Sequence, residues 1–452
     1  MNKEITEKII TRLPPSPTGL FHIGTARTAL FNYLFARQNN GQMLFRLEDT
    51  DKERSKKEFE VNIISGLEWL GLDYDGEITK QSERTEVYKK YLEKMIEGGL
   101  AYISEEEIKK EGQRGSVIRF KNPNKEVIFK DLIRGDVKFD TTELGDFVIA
   151  KSLEEPLYHL TVVVDDFEGE ITHVIRGEDH ISNTPRQILI QEAIGAERPI
   201  YAHLPLILSP DRSKMSKRHG ATSVDDYKEK GYLPEAIINY LALMGWNPGT
   251  EEEIFTLSEL LEKFDIKKVN KGGAIFNIEK LNWINKEHIK LMPEEDFKEK
   301  VLEFSSEELK EKFVKYPRVF EEILPIIKER IEKFEDVTKM CTDGEFDYYF
   351  FQPEYELEKI FWKDENDPFV LRLRMEKIIE ILNSVGEFTA EKIKEALWDY
   401  ATEEGRGSVL WPLRYLLSGR DKSPDPFTLS EILGKEETIK RINYAIEKIQ
   451  KS

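Results

Sequence analysis

The sequence predicts a doubly wound parallel α/β sheet, interrupted by a β-rich insertion and followed by a helical half. Three observations carry that reading. Before Ala101, β-branched stretches alternate with amphipathic helical ones, the order that builds a parallel sheet with helical crossovers. From about Ala101 short strands crowd between charged turns, and a strand–helix–strand order returns near Ile171. After Tyr227 the pattern reads helical to the C-terminus, with breaks at Asn247-Pro248, Gly272-Gly273 and Ser423-Pro424.

The elements follow in order. KIITRL, residues 8–13, is short and β-branched, and reads as the first strand. A proline-rich turn leads into a helix from about Gly24 to Asn40. There Ala29, Leu30, Tyr33 and Leu34 recur at helical spacing, and Gly41 supplies the stop. QMLFRLED is a second strand and EFEVNIISGLEWLGL a second amphipathic helix. SVIRF, EVIFKDLI, VKFD and FVIAKS are the strands of the insertion. ITHVIRG, TPRQILIQEAIG and YAHLPLIL then restore the alternation.

At 452 residues the chain is too long for one core, and roughly two to four domains are expected. With 39% hydrophobic and 11% aromatic residues it can fill several cores, which excludes global disorder. The net charge of -19 argues against nonspecific coating of nucleic acid, yet leaves room for an RNA gripped by local basic patches. The single cysteine, Cys341, excludes an internal disulfide and a cysteine-rich zinc site. No leader pattern opens the chain, and no apolar run approaches the roughly 18 residues of a membrane span. A soluble, cytoplasmic protein is expected.

Two stretches carry chemistry. In TRLPPSPTGLFHIGTAR, prolines stiffen the loop before a helix, while Gly19 and Gly24 let a ligand approach the backbone. Free N–H groups and the positive end of the helix dipole favour an anion there, and His22 can donate to a phosphate oxygen. In DRSKMSKRHG, Lys214, Lys217 and Arg218 cluster with Ser213 and Gly220 after an apolar strand, where an α/β sheet binds phosphorylated ligands. Taken singly, His22 reads as the cap of a rigid turn and the basic run as a solvated cluster. The acidic run Glu48–Asp51 reads as a turn and helix cap for its aspartates.

Together, PSPTGLFHIG and KMSKR resemble the paired motifs of class I aminoacyl-tRNA synthetases. Thr25 stands at the last position of the first motif, as in the glutamyl and glutaminyl branch. Similarity to bacterial glutamyl-tRNA synthetases extends through LFNYLFAR, LFRLEDTDKERS, EWLGLDYD, QSERTEVYKKYLEKMIEGGLAY, VVVDDFEGEITHVIRGEDHISNTPRQ, LPEAIINYLALMGW, IFNIEKLNWIN and LWPLRYLLSG.

The resemblance implies a Rossmann-like class I catalytic domain in two halves, residues 1–100 and 175–218. An inserted α+β acceptor-end-binding module, 101–174, separates them. An all-α stem-contact domain, 219–305, and an α-helical anticodon-binding domain, 306–452, follow. Implied partners are tRNA-Glu, L-glutamate and ATP with Mg2+, acting on a monomer. His22, Lys214 and Lys217 are the implied catalytic residues. ATP would be held by Ser16, Thr18, Gly19, His22, Gly24, Thr25, Lys214, Met215, Ser216, Lys217 and Arg218.

Glutamate carries two carboxylates and an ammonium, so it calls for an arginine fork and a carboxylate. Arg12, Ser16 and Glu48 end strands or follow them, and should emerge at one sheet edge. By motif position, Arg12 and Arg176 match the side-chain clamp, helped by Tyr158; Glu48 matches the amine partner and His180 lines the pocket. Val162 stands where a family member has a further asparagine contact, so that contact is absent. Two arginines would also reject glutamine, whose amide leaves guanidinium charge unpaired.

In the helical part Arg330, Arg414, Ser423, Pro424 and Phe427 match anticodon-contacting positions, while Trp411 reads as bundle core. The region after GLAY, ISEEEIKKEGQRGS, lacks the cysteines of zinc-binding relatives, so no metal site is expected. Alternative readings are an enzyme that also charges tRNA-Gln, a tRNA-modifying glutamyl-queuosine enzyme, a small-metabolite nucleotidyltransferase, and a non-catalytic RNA-binding paralogue. The long helical part weighs against the second of these, and the pocket set Arg12, Glu48, Tyr158 and Arg176 against the last two.

Overall fold

The computed structural model describes residues 8–107, 115–213, 215 and 222–451. They fall into two compact units, residues 1–288 and 289–452.

The first unit opens with β1 (Ile10–Leu13), α1 (Ile23–Gln38), β2 (Gln42–Leu47), α2 (Lys57–Trp69), β3 (Asp75–Lys80) and α3 (Thr85–Glu97). Strands β1, β2 and β3 form a parallel sheet in that order. The third strand, DGEITK, is polar and half-exposed, and it has no apolar run to announce it. Helix α1 starts where His22 Nδ1 accepts the Gly24 N–H at 3.0 Å. It stops at Asn39, and Asn40 takes a left-handed φ of 52°. A side chain at Gly41 would put its Cβ 2.2 Å from the Ile9 carbonyl, so only glycine lets β2 start alongside β1.

The insertion follows with β4 (Ala101–Glu105), β5 (Ser116–Phe120), β6 (Glu126–Asp131), β7 (Gly135–Asp140), β8 (Phe147–Ser152), β9 (Glu155–Pro156) and α4 (Tyr158–Glu168). Strands β4, β5, β8 and β9 make an antiparallel sheet. The hairpin β6–β7 instead extends the sheet of β10 (His173–Gly177) and β11 (Ile200–Leu204), through Tyr201 beside Asp131. Between β10 and β11 runs α5 (Thr184–Ile194). Helix α4 occupies a β-branched stretch that local preference would have placed in a strand. Leu160, Val162, Val163 and Val164 are all buried there.

The parallel sheet of β1 and the mixed sheet of β10 meet at the starts of those two strands. Ile10 N–H donates to Thr172 Oγ1 at 2.9 Å, and Thr172 N–H donates to the Ile10 carbonyl at 3.0 Å. Buried Asn32 of α1 ties both sheets together, accepting from Thr11 Oγ1 and donating to the Ile175 carbonyl. The chain builds outward from β1 on one side and returns through β10 on the other. That reversal of strand order opens a crevice beyond the carboxyl ends of β1 and β10.

The unit closes with β12 (Ile207–Leu208), α6 (Val224–Glu229), α7 (Pro234–Leu243), α8 (Leu257–Lys263), β13 (Ala274–Ile275) and α9 (Ile278–Leu291). The two-residue strands β12 and β13 pair in parallel, so the stretch beyond Tyr227 is not wholly helical.

In the second unit every regular element among the described residues is helical. These are α10 (Glu294–Phe304), α11 (Glu307–Lys315), α12 (Pro317–Arg330), α13 (Glu335–Thr342), α14 (Asp347–Phe350), α15 (Pro368–Ser384), α16 (Ala390–Glu404), α17 (Arg406–Ser418) and α18 (Pro426–Lys451), the last broken at Gly434. Helices α15, α16 and α17 pack on α18. Buried Arg441 of α18 stitches the core, donating to the carbonyls of Tyr348, Leu417 and Phe351.

Candidate active site

The crevice at the strand-order reversal holds a cavity of about 620 Å³. Six residues matched to glutamate, Arg12, Ser16, Glu48, Tyr158, Arg176 and His180, all line it. From the residues matched to ATP it brings in Ser16, His22, Gly24, Thr25 and Met215, but neither Thr18 nor Gly19 reaches the wall. Lys214, Ser216, Lys217 and Arg218 lie outside the described residues.

A buried charge network lies behind Arg12 and Glu48, which line the cavity. Asp166 of α4 accepts from Arg12 Nε at 3.2 Å and from Arg46 Nη1 at 2.7 Å. Arg46 Nη2 also donates to Glu48 Oε1 at 3.2 Å. Neighbouring Asp165 accepts from Arg84 Nε, Gln81 Nε2 and the Tyr88 hydroxyl. Burial opposes ionisation of Asp166, but Arg12 and Arg46 outweigh it and hold the carboxyl below its ordinary value. Glu48 differs: burial dominates over Arg46 and Arg12, and its carboxyl is pushed up. An ammonium arriving at Glu48 would supply the missing positive charge. Arg12 Nη1 is buried and has no hydrogen-bond partner.

Arg176 stands apart. It is 5% exposed, yet no carboxylate pairs with it among the described residues. Its Nε donates to His203 Nε2 at 3.2 Å and its Nη2 to Thr184 Oγ1 at 2.8 Å, with the Tyr201 ring 5.7 Å away. Burial therefore lowers the pKa of this guanidinium. Nearby, the Tyr158 hydroxyl lies 3.1 Å from His180 Nδ1. Burial, and then Arg176, push His180 down to about 4, so it is neutral at physiological pH.

The end of the cavity that holds the residues matched to ATP is formed by the start of α1. Because His22 Nδ1 accepts a backbone N–H, its ring proton resides on Nε2, as donation to an anion requires. The segment after the basic loop is fastened to this turn: Ile23 N–H donates to the Thr222 carbonyl, and Val224 N–H to the Phe21 carbonyl. On the loop's other side, Met215 N–H donates to the Ile207 carbonyl and Met215 lines the cavity. Thr222 thus lies beside the start of α1, and Met215 stands at the crevice. Arg27 of α1 also reaches it, donating to the carbonyls of Met244 and Pro205; burial lowers its pKa to about 10.

In the second unit the candidate residues differ in access. Arg330 is exposed and paired with Glu345. Arg414 lies 4.8 Å from the Trp411 ring and donates to the Asp421 carbonyl. Ser423 Oγ is 3.1 Å from Ser418 Oγ, and Pro424 is half-buried. Phe427 is only 6% exposed, so its ring packs in the bundle and presents no stacking face in this conformation. Trp411 is half-buried, stacked on Tyr415 and donating to the Lys359 carbonyl.

Sequence reasoning missed Arg27, Arg46, Asp131, Asp165, Asp166 and His203. The adjacent aspartates inside VVVDDFE were the one available signal, because acid in an apolar helix needs cationic partners.

Comparison with known proteins identifies the family. Residues 8–115 and 103–283 match the family described as tRNA synthetases class I (E and Q), catalytic domain, and residues 296–446 match an anticodon binding domain. A glutamate–tRNA ligase of Carboxydothermus hydrogenoformans is 42% identical, covering 95% of this chain and 98% of its own. One from Aquifex aeolicus is 41% identical over 98% of this chain and 99% of its own. A crystal structure of a glutamate tRNA ligase from Elizabethkingia meningosepticum, in complex with its amino acid, superposes with a TM-score of 0.84 at 33% identity, covering 98% of this chain and 100% of that one. Fold, crevice and full-length similarity place the chain in the glutamate–tRNA ligase family of class I tRNA synthetases.

Proposed function

We propose that the chain activates L-glutamate with ATP and transfers it to the terminal adenosine of tRNA-Glu. The observation that carries the reading is Arg176, a buried cation without a carboxylate partner among the described residues, in the same cavity as Arg12 and Glu48. A dicarboxylate amino acid completes that arrangement, with its side chain on the arginines and its ammonium at Glu48.

In the first step an α-carboxylate oxygen attacks the α-phosphorus of ATP. The bond to the β-phosphate oxygen breaks and pyrophosphate leaves. In the second step the 2′-hydroxyl of the tRNA adenosine attacks the acyl carbon and AMP departs. Both steps depend on in-line positioning and on neutralising charge that develops on phosphate. His22 Nε2–H and the start of α1 serve the phosphates, with Lys214 and Lys217 closing over them. Mg2+ enters with ATP as part of the substrate. Among the described residues no group of three metal-ligating side chains exists.

Residues 101–174 would bind the acceptor end, 219–305 the stem and 306–452 the anticodon, where Arg330 reads the third base. Arg330 would have to exchange Glu345 for that base. We read the chain as a cytoplasmic monomer acting on tRNA; no helix among the described residues is long and apolar enough to cross a membrane.

Side-by-side charging of tRNA-Glu and tRNA-Gln transcripts with labelled glutamate tests the reading. Charging of tRNA-Glu alone is expected. Charging of both would remove Arg330 as a discriminator, and charging of neither would refute the function. Lys217→Ala should slow adenylate formation by about 3 kcal/mol, the usual worth of one donor to a developing oxyanion. A defect confined to tRNA affinity would remove Lys217 from the chemistry.

A further inference from the structure

We propose that Asp131 and His203 are positioning residues which fix one histidine tautomer and thereby aim Arg176 at the substrate carboxylate. The inference rests on the glutamate reading above and extends it to two residues that line no part of the cavity.

The geometry fixes the position of the His203 ring proton. Asp131, at the end of β6, receives four N–H groups. Its Oδ1 takes the backbone N–H of Ile133 at 2.9 Å and of Arg134 at 2.8 Å. Its Oδ2 takes the backbone N–H of His203 at 3.0 Å and ring Nδ1 at 2.6 Å. An ionised carboxylate only accepts, so Nδ1 must carry the imidazole proton. Nε2 is then a lone pair, and Arg176 Nε–H donates into it at 3.2 Å. Arginine has no acceptor, so the bond cannot run the other way. Thr184 closes the arrangement, accepting from Arg176 Nη2 at 2.8 Å while its hydroxyl lies 3.1 Å from the His180 carbonyl. Asp131, His203, Thr184 and Arg176 are each at most 5% exposed.

The chemistry of the brace matters as much as its position. A carboxylate placed against Arg176 would neutralise it before substrate arrives. A neutral imidazole and a hydroxyl orient the guanidinium and leave its charge for the ligand. That is the condition for preferring a carboxylate to an amide. The same brace fails if His203 gains a second proton, because Nε2–H would then face Arg176 Nε–H and could donate only to Thr184 Oγ1, 3.2 Å away. Charged and titratable groups around His203 are Asp131 and Arg134 on the insertion side, Arg176 on β10, His180 before α5, and Tyr201 on its own strand. Burial, with Arg176 and Arg134, outweighs Asp131 and lowers the pKa of His203. The brace is intact above that value and lost as pH falls through it.

The test is glutamate KM in the charging reaction, with ATP KM and thermal unfolding as controls. Asp131→Asn offers Nδ1 a carboxamide and releases the tautomer. Glutamate KM should rise roughly 10- to 100-fold, as for a buried hydrogen bond left unmade, with ATP KM unchanged. His203→Gln keeps an acceptor for Arg176 Nε and should retain most affinity for glutamate, whereas His203→Leu should lose it. Wild-type glutamate KM should climb towards acid pH as His203 and Glu48 both gain protons, and the climb should be smaller in His203→Gln, where only Glu48 contributes. If Asp131→Asn does not fold, the Gln and Leu variants and the pH profile decide. Equal glutamate KM in His203→Leu and wild type, or an unaltered acid limb in His203→Gln, overturns the positioning role. A wild-type protein that charges no tRNA with glutamate instead refutes the underlying function.

Discussion

Arg176→Ala should lower kcat/KM for glutamate by roughly 10²–10³-fold, because truncating one member of a buried, hydrogen-bonded charge pair costs about 2–5 kcal/mol. The ATP KM should stay near wild type, since the residues matched to ATP lie at the start of α1 and in the run 214–218, away from Arg176 in the sequence. Stability should not fall with activity. Without a carboxylate beside it, the buried guanidinium is held only by His203, Thr184 and the Tyr201 ring, and its desolvation is poorly offset. The unliganded variant should therefore melt at or above the wild-type temperature, while the added stability from saturating glutamate disappears. Arg176→Lys should not rescue, as an ammonium lacks the fork that engages His203 and a carboxylate together. Pyrophosphate exchange in the presence of tRNA, with glutamate and glutamine compared, reads the outcome. The preference for glutamate should shrink with the rate, and unchanged kinetics would remove Arg176 from the pocket.

What the sequence made legible follows from the range of the interactions involved. The proline turn, the start of α1 and the stop at Gly41 are set within a few residues, and each stands where its pattern put it. Glu48 also reaches the cavity from the end of β2, as strand polarity required. The failures are non-local. Helix α4 carries three consecutive valines, and local preference favours a strand. Burial among α3, α5 and β8 decides for helix instead. Strand β3 is polar, and it is made a strand by its ladder to β2 rather than by its own residues. Asp166 shows the same limit at the site. Its acidity is plain in VVVDDFE, but its partners lie 154 and 120 positions away, and no spacing rule connects them. Arg12 matches the clamp by motif position, and the sequence does not show that its Nε is committed to Asp166 while Nη1 is the donor left over.

That shared carboxylate makes Asp166→Asn the most damaging single-atom change expected in the protein. Two buried guanidiniums converge on Asp166, and the amide keeps the shape while removing the charge between them. Breaking a buried ion pair from one side typically costs about 3–5 kcal/mol, and here two cations are affected. Glutamate activation should fall as well, since Arg12 loses the partner that orients it and Glu48 shares Arg46 with Asp166. The pH dependence separates charge from packing. Asp166 is held below its ordinary carboxyl value in the folded protein, so its contribution is fully present above the unfolded value, about 3.9, and fades as pH falls through the folded one. The stability gap between wild type and Asp166→Asn, measured by urea unfolding, should be constant from about pH 7 to pH 5 and begin to close only below about pH 4. A gap that stayed constant through the acid range would assign the loss to packing. A variant as stable as wild type at pH 7 would mean that Arg12 and Arg46 find other counter-charges, and the charge network would lose its place in holding the site.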